Sequence, residues 1–204
     1  NRFDECWVPD FQGERSLSGQ LSKGNAIKNV KYLGLLSRMK NLPEPQKYDI
    51  IAVISGPEPQ RTYFEKLIIN ELKSINKKSL VVLGKPNEEN HFRINEYLEV
   101  VSHLDAKELN KVLESSELVI CRSGYSSVMD LVRLKKKAIL IPTPGQTEQE
   151  YLADRLKDKR YFHVQNQSSF SIEKGLQEIA KYNQPFEKEN DQGQLPQIIF
   201  ALNN

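Results

Sequence analysis

An α/β fold built on a Rossmann-like, doubly wound parallel sheet is predicted by three observations. From Tyr48 onward, short apolar runs alternate with stretches of helical periodicity. The apolar runs are continuous rather than alternating, as in strands covered on both faces. Each distinctive polar cluster follows such a run, which places all of them on the carboxyl edge of the sheet, where ligands of this fold class bind.

The elements follow in order. "YDIIAVISG" is a buried strand ended by Gly56. "PEPQRTYFEKLIINELKSI" places Phe64, Leu67, Ile68 and Leu72 at helical spacing, with Pro57 at the expected first helical position. "SLVVLG" and "LEVVSHL" are the second and third strands, and "DAKELNKVLESS" is a helix with Asp105 as its N-cap. "ELVICRSG" is the fourth strand, "YSSVMDLVRL" a helix, and "KAILIPTP" the fifth strand. "TEQEYLADRLKDK" is helical, "YFHV" a short strand, "SIEKGLQEIAKY" a helix, and "LPQIIFALNN" a final short helix. Strands and helices in this alternation require a parallel sheet joined by crossovers.

Residues 1–47 read differently. "ECWVPDF" is one strand, and "SLSGQLSKGNAIKNVKYLGLLSRM" carries small polar punctuation before a Leu-rich end. They are expected to be the end of a preceding domain plus a linker, with residues 48–204 forming the Rossmann-like unit. The first residue is not Met, so the 204 residues are expected to be a piece of a longer protein.

Composition narrows the function. Charged residues make up 27% of the chain yet its formal net charge is +2, which argues against a nucleic-acid surface. Lys135, Lys136 and Lys137 read as a solvated turn. Cys6 and Cys121 are far apart, and Cys121 ends an apolar strand as a small hydrophobe. A reducing, cytoplasmic setting fits this cysteine usage. No apolar run reaches the ~18 residues that span a bilayer. His91, His103 and His163 lack metal-ligand spacing, so no metal is expected, and no P-loop, dinucleotide fingerprint or nucleophile elbow is present.

Three strand exits carry the chemistry. At the first, Ser55–Gly56 permits a tight turn before a helix whose N–H groups can face an anion, although Pro57 and Pro59 remove two donors. The bare alternative is a turn that only ends a strand. At the second, "CRSGYSSVMD" offers the N–H groups of Ser123 and Gly124, the guanidinium of Arg122 and the hydroxyls of Ser126 and Ser127. Asp130 lies too deep in its helix to cap it; its carboxylate can accept two ribose hydroxyls or be a solvated helix residue. Arg122 has a second reading as an anchor of the loop. At the third, "PTPGQTEQEYLA" groups Gln146, Glu148 and Gln149, amide and carboxylate groups suited to sugar hydroxyls. Thr147 with Glu150 can also form a capping box there.

"VICRSGYSSVMDL" followed by "AILIPTPGQTEQEYLA" resembles the carboxy-terminal, donor-binding domain of MurG-type glycosyltransferases, family 28 members of the two-domain GT-B fold. The resemblance rests on Ser123 with an acidic residue seven positions later, then Pro142, Gln149 and Ala153. It is strong over residues 115–157 and extends more weakly back to Tyr48. It implies that Asp130 holds the ribose, that Ser123 and Gly124 lie near the diphosphate, and that Glu148 and Gln149 meet the donor sugar. Ser55 and Gly56 stand at the family's Gly-rich, phosphate-facing turn. His103 and Leu104 correspond loosely to residues that hold uracil. Three positions depart from the family pattern: the Gly-rich turn is reduced to "SGPEPQR", Leu152 replaces Asn, and the acidic ligand is Asp rather than Glu.

The resemblance implies an inverting transfer of a sugar such as N-acetylglucosamine from a nucleoside diphosphate donor, UDP-linked, to an acceptor hydroxyl, with no cofactor or metal. Acceptor site and catalytic base then belong to an absent amino-terminal domain, so this chain alone is expected to be inactive. Any peripheral membrane contact is likewise expected of that half. Two alternatives remain open: a sugar-nucleotide epimerase of the same architecture, and a non-catalytic nucleotide-binding subunit completed by a partner chain.

Overall fold

The computed structural model describes residues 5–23 and 29–182. The helix expected at 195–204 lies outside them.

Two short strands, β1 (Cys6–Val8) and β2 (Val30–Tyr32), pair in parallel as a small sheet of their own. The main sheet has seven strands: β3 (Tyr48–Val53), β4 (Ser79–Val82), β5 (His91–Arg93), β6 (Leu98–Val101), β7 (Ser116–Cys121), β8 (Lys137–Leu140) and β9 (His163–Val164). Their order across the sheet is β5-β6-β4-β3-β7-β8-β9. All pairs are parallel except β5 with β6. Counted among the parallel strands alone, the order is 3-2-1-4-5-6, that of dinucleotide-binding folds, and its switch point falls between β3 and β7.

The helices are α1 (Gln60–Leu72), α2 (Ala106–Glu114), α3 (Tyr125–Arg133), α4 (Thr147–Asp158) and α5 (Ile172–Glu178). Two buried clusters, one on each face of the sheet, show how the layers form. Ile50, Ala52, Val81, Val100 and Ile120 pack with Phe64, Ile68 and Leu72 of α1 and Ile172 of α5. Ile51, Val82, Val101 and Val119 pack with Leu113 of α2, Val128 and Val132 of α3, and Leu152 and Leu156 of α4. Alternate residues of each strand serve opposite faces, so the continuous apolar runs follow from burial on both sides. Cys121 belongs to the second cluster, and burial pushes its thiol up to about 12.

Most predicted elements are present, with three local differences. α1 begins at Gln60 rather than at Pro57, after an N-cap Pro59. α2 has the expected Asp105 cap, completed as a capping box by Glu108. α4 has no Thr147–Glu150 box: Gln146 is the N-cap, Thr147 is the first helical residue, and Glu150 instead accepts from Gly145 N at 2.9 Å. The antiparallel edge strand β5 was not expected.

From the described residues before β3, Leu17 and Met39 are buried in the cluster formed with α3 and α4. The Asp10 carboxylate, fully buried, organises the first loop by accepting from Phe11 N, Leu17 N and Ser18 N at 2.7–2.9 Å and from the Ser16 and Ser18 hydroxyls. Charge-assisted bonds of this kind offset the cost of burying a carboxylate. The loop closes on α4 and α3: Arg155 donates to Leu17 O and Ser16 O, and Tyr125 Oη donates to Pro9 O. Gly19 has φ +56°, and a Cβ there would meet Arg155 Nε and Tyr151 Oη at 2.6 Å, so only glycine allows this contact.

Candidate functional site

Strand register aligns the candidate residues. Val53 is level with Val82 and, through β4, with Val101. On the other side it is level with Cys121 and, through β7, with Leu140. The positions two residues beyond are therefore Ser55, Gly84, His103, Ser123 and Pro142, one row along the carboxyl edge. Sequence reasoning placed Ser55, His103, Ser123 and Pro142 at strand exits; the shared level is a product of the pairing.

At the β3 exit, Ser55 and Gly56 are exposed. Gly56 has φ +113°, and a Cβ added there would stand 3.8 Å from Thr143 Oγ1, which brings this turn beside the β8 exit. Thr143 is 1% exposed, and its hydroxyl has no hydrogen-bond partner among the described residues. The amino end of α1 is already occupied. Glu58 accepts from Thr62 N at 3.2 Å and pairs with Arg61, and these contacts, Thr62's first, hold its carboxyl below the usual value.

At the β7 exit the helix start is different. Gly124 is the N-cap of α3 and no side chain caps the helix. Gly124 is half-buried and Ser126 exposed, so backbone N–H groups of the first turn adjoin open space. Ser123 is fully buried, and its hydroxyl donates to Gln149 O at 2.8 Å, so only its backbone remains for a ligand. Burial raises the Tyr125 phenol above its ordinary value.

Arg122 requires a correction. It is 1% exposed, and its Cζ sits over the Phe64 ring, 4.0 Å from the centroid. Nη1 donates to Ile141 O and Pro142 O at 3.2 and 3.1 Å; Nη2 donates to Gln60 O at 3.1 Å and Gln167 Oε1 at 2.6 Å. Burial lowers its pKa to about 10. The guanidinium thus faces inward, cross-linking the start of α1, the β8 exit and the turn at Gln167. The phosphate contact expected of Arg122 does not fit this geometry; the anchoring role does. The apolar helix position Phe64 was the available signal, because a ring on α1 offers the surface on which a guanidinium stacks.

At the β8 exit, Gln149 Oε1 accepts from Thr143 N at 3.0 Å and Gln149 Nε2 donates to Gln146 Oε1 at 2.5 Å. Both amides shape the loop, while Glu148 is exposed beside them. At the β6 exit, His103 is exposed with Nδ1 3.2 Å from Glu88 O, and Leu104 is half-buried. Asp130, on α3, is half-buried, and burial raises its carboxyl above the ordinary range. Its Oδ1 accepts from Ser37 Oγ at 2.6 Å, a partner that sequence reasoning missed because it lies 93 residues away. Among the described residues, no cluster of three or more His, Cys, Asp and Glu is placed to hold a metal, and no helix is long and apolar enough to cross a membrane.

Solved structures that share this fold include glycosyltransferases. Spinosyn rhamnosyltransferase SpnG in complex with thymidine diphosphate superposes with TM-score 0.57 at 12% identity, covering 92% of this chain and 55% of that one. MurG of Acinetobacter baumannii gives 0.54 at 16% identity, covering 78% and 49%. ALG13 gives 0.52 at 15% identity, covering 78% of this chain and 96% of that one. The chain spans about half the length of the larger transferases it matches. No curated protein sequence matches it. The model of the glycosyltransferase family 28 C-terminal domain matches residues 50–198, and with the strand order, the row of strand exits and the "CRSGYSSVMD" turn already placed, this chain belongs to that family.

Proposed function

We propose that this chain is the donor-binding half of an inverting glycosyltransferase that takes a nucleoside diphosphate sugar, UDP-linked, at the carboxyl edge of its sheet. The observation that carries the reading is the uncapped start of α3 at the switch point between β3 and β7. An uncapped helix start of this kind attracts a diphosphate, and Asp130, further along the same helix, would take the ribose.

In the transfer, an acceptor hydroxyl attacks the anomeric carbon from the face opposite the diphosphate. The bond from that carbon to the phosphate oxygen breaks, and the hydroxyl proton passes to a base. The leaving diphosphate gains negative charge, which the N–H groups of α3 offset. Glu148, exposed beside the β8 exit, would meet donor-sugar hydroxyls. Gln149 and Gln146 hold the loop that presents it. Acceptor and base are assigned to another domain, so the chain alone binds donor without transferring sugar. A thymine-linked donor is the alternative to uracil, since SpnG holds thymidine diphosphate. The domain as a subunit of a separate partner is a second reading, favoured by ALG13, 96% of whose chain this one covers, so that a domain of this size can stand as a chain of its own.

Calorimetric titration with nucleoside diphosphates and their sugar conjugates tests the reading. Asp130→Ala is expected to weaken nucleoside diphosphate binding by about 1.5–3 kcal/mol, the worth of hydrogen bonds to a charged group. An unchanged dissociation constant leaves Asp130 as the structural partner of Ser37.

A further inference from the structure

Among the described residues, every buried serine gives its hydroxyl proton to an acceptor of the chain, and Thr143 is the one buried hydroxyl that finds none. A desolvated hydroxyl left unpaired is a standing cost to the fold. An oxygen brought by a ligand would remove that cost.

The surroundings of Thr143 say which oxygen. Its backbone N–H donates to Gln149 Oε1 at 3.0 Å, and Gln149 O accepts from Ser123 Oγ at 2.8 Å. Thr143 is thereby tied to the residue that precedes Gly124, the N-cap of α3. On its other side stands the exposed Gly56 turn. Chain neighbours aside, a Cβ built on Gly56 would find Thr143 Oγ1 at 3.8 Å and no other atom within 4 Å. The space over Gly56 therefore ends on the Thr143 hydroxyl. An oxygen about 1 Å nearer than that Cβ position would be at hydrogen-bond distance, a displacement within what binding commonly produces.

We propose that Thr143 is a further donor-binding residue, giving its hydroxyl proton to a phosphate oxygen of the nucleoside diphosphate between the Gly56 turn and the start of α3. This rests on the donor-binding reading above and adds a side-chain donor to the backbone N–H groups of α3. A hydroxyl that lacks an acceptor is best met by a group that only accepts, as a phosphate oxygen does.

The test titrates UDP and uridine against the 204-residue chain and its Thr143→Val and Thr143→Ser variants, with a thermal melt of each ligand-free protein. Thr143→Val keeps the shape and removes an unpaired hydroxyl, so its melting temperature should hold or rise. Its affinity for UDP should fall about tenfold, the worth of a hydrogen bond to a charged acceptor, and that for uridine by no more than about twofold. Thr143→Ser, which retains the hydroxyl, should bind UDP within about threefold of the unmodified chain. Undiminished UDP binding by Thr143→Val overturns the inference, as does an equal loss of both ligands with an earlier melt, the mark of a structural hydroxyl. Should Thr143→Val fail to fold, Thr143→Ala against Thr143→Ser decides: equal affinity for UDP overturns the inference, and a tenfold gap upholds it. If the unmodified chain does not bind UDP, the donor-binding reading falls and this inference with it.

Discussion

The exits of β3 and β7 are adjacent and level, yet the helices that follow them begin in opposite states. α1 starts behind two prolines, and the carboxylate of Glu58 already occupies its first turn. α3 starts directly from Gly124, with no side-chain cap bond at its start. The topology delivers two helix starts to one crevice, and local sequence closes one of them with the chain's own anion. Being at the switch point is therefore not enough to make a helix start available to a ligand.

Three substitutions break or sharpen this contrast. The largest effect is expected from Arg122→Met, because Arg122 lies beneath both exits and ties them together. Losing a buried charged donor to three carbonyls and an amide should cost about 3 kcal/mol or more in chemical denaturation. Affinity for a nucleoside and for its diphosphate should fall together. A preserved melting temperature with a loss confined to the diphosphate would return Arg122 to phosphate binding.

Gly124→Asp should make α3 resemble α1. Gly124 has φ −69°, and a Cβ there meets only Ser127 Oγ at 4.0 Å, so the new side chain fits. A carboxylate at the N-cap adds a few tenths of a kcal/mol to the helix. It should also weaken nucleoside diphosphate binding by about tenfold, since it places a negative charge where the ligand's own would lie. Undiminished titration of UDP would show that the start of α3 is not the anion site.

The smallest change is expected from Glu58→Gln. It removes the anion from α1, lowers the melting temperature slightly, and shifts UDP affinity by no more than about twofold. A large gain in affinity would mean that α1 faces the diphosphate too, and the two exits would be alike.

The sheet was legible where parallel strands are buried on both sides, because that environment writes a continuous apolar run such as "DIIAVI". β5 was not, because all of its residues are exposed and its pairing to β6 leaves no apolar pattern. In the site, exits could be found because small residues stop strands at Ser55–Gly56 and Ser123–Gly124. Side-chain direction could not: Arg122 follows its strand in sequence but turns back under the sheet edge, onto a ring that α1 supplies. Ser37 and Asp130 meet only because the segment before β3 wraps over α3, a contact between distant residues that no local pattern encodes.

That wrapping also bears on how donor halves could be exchanged between enzymes. A chimera joined at Tyr48, where the regular alternation begins, would leave behind Leu17 and Met39, two buried members of the cluster that α3 and α4 share. It would also strip Asp130 of Ser37 and Arg155 of its carbonyl partners. The natural seam for recombination lies upstream of Asp10, so the strap must travel with the donor half as its inheritance.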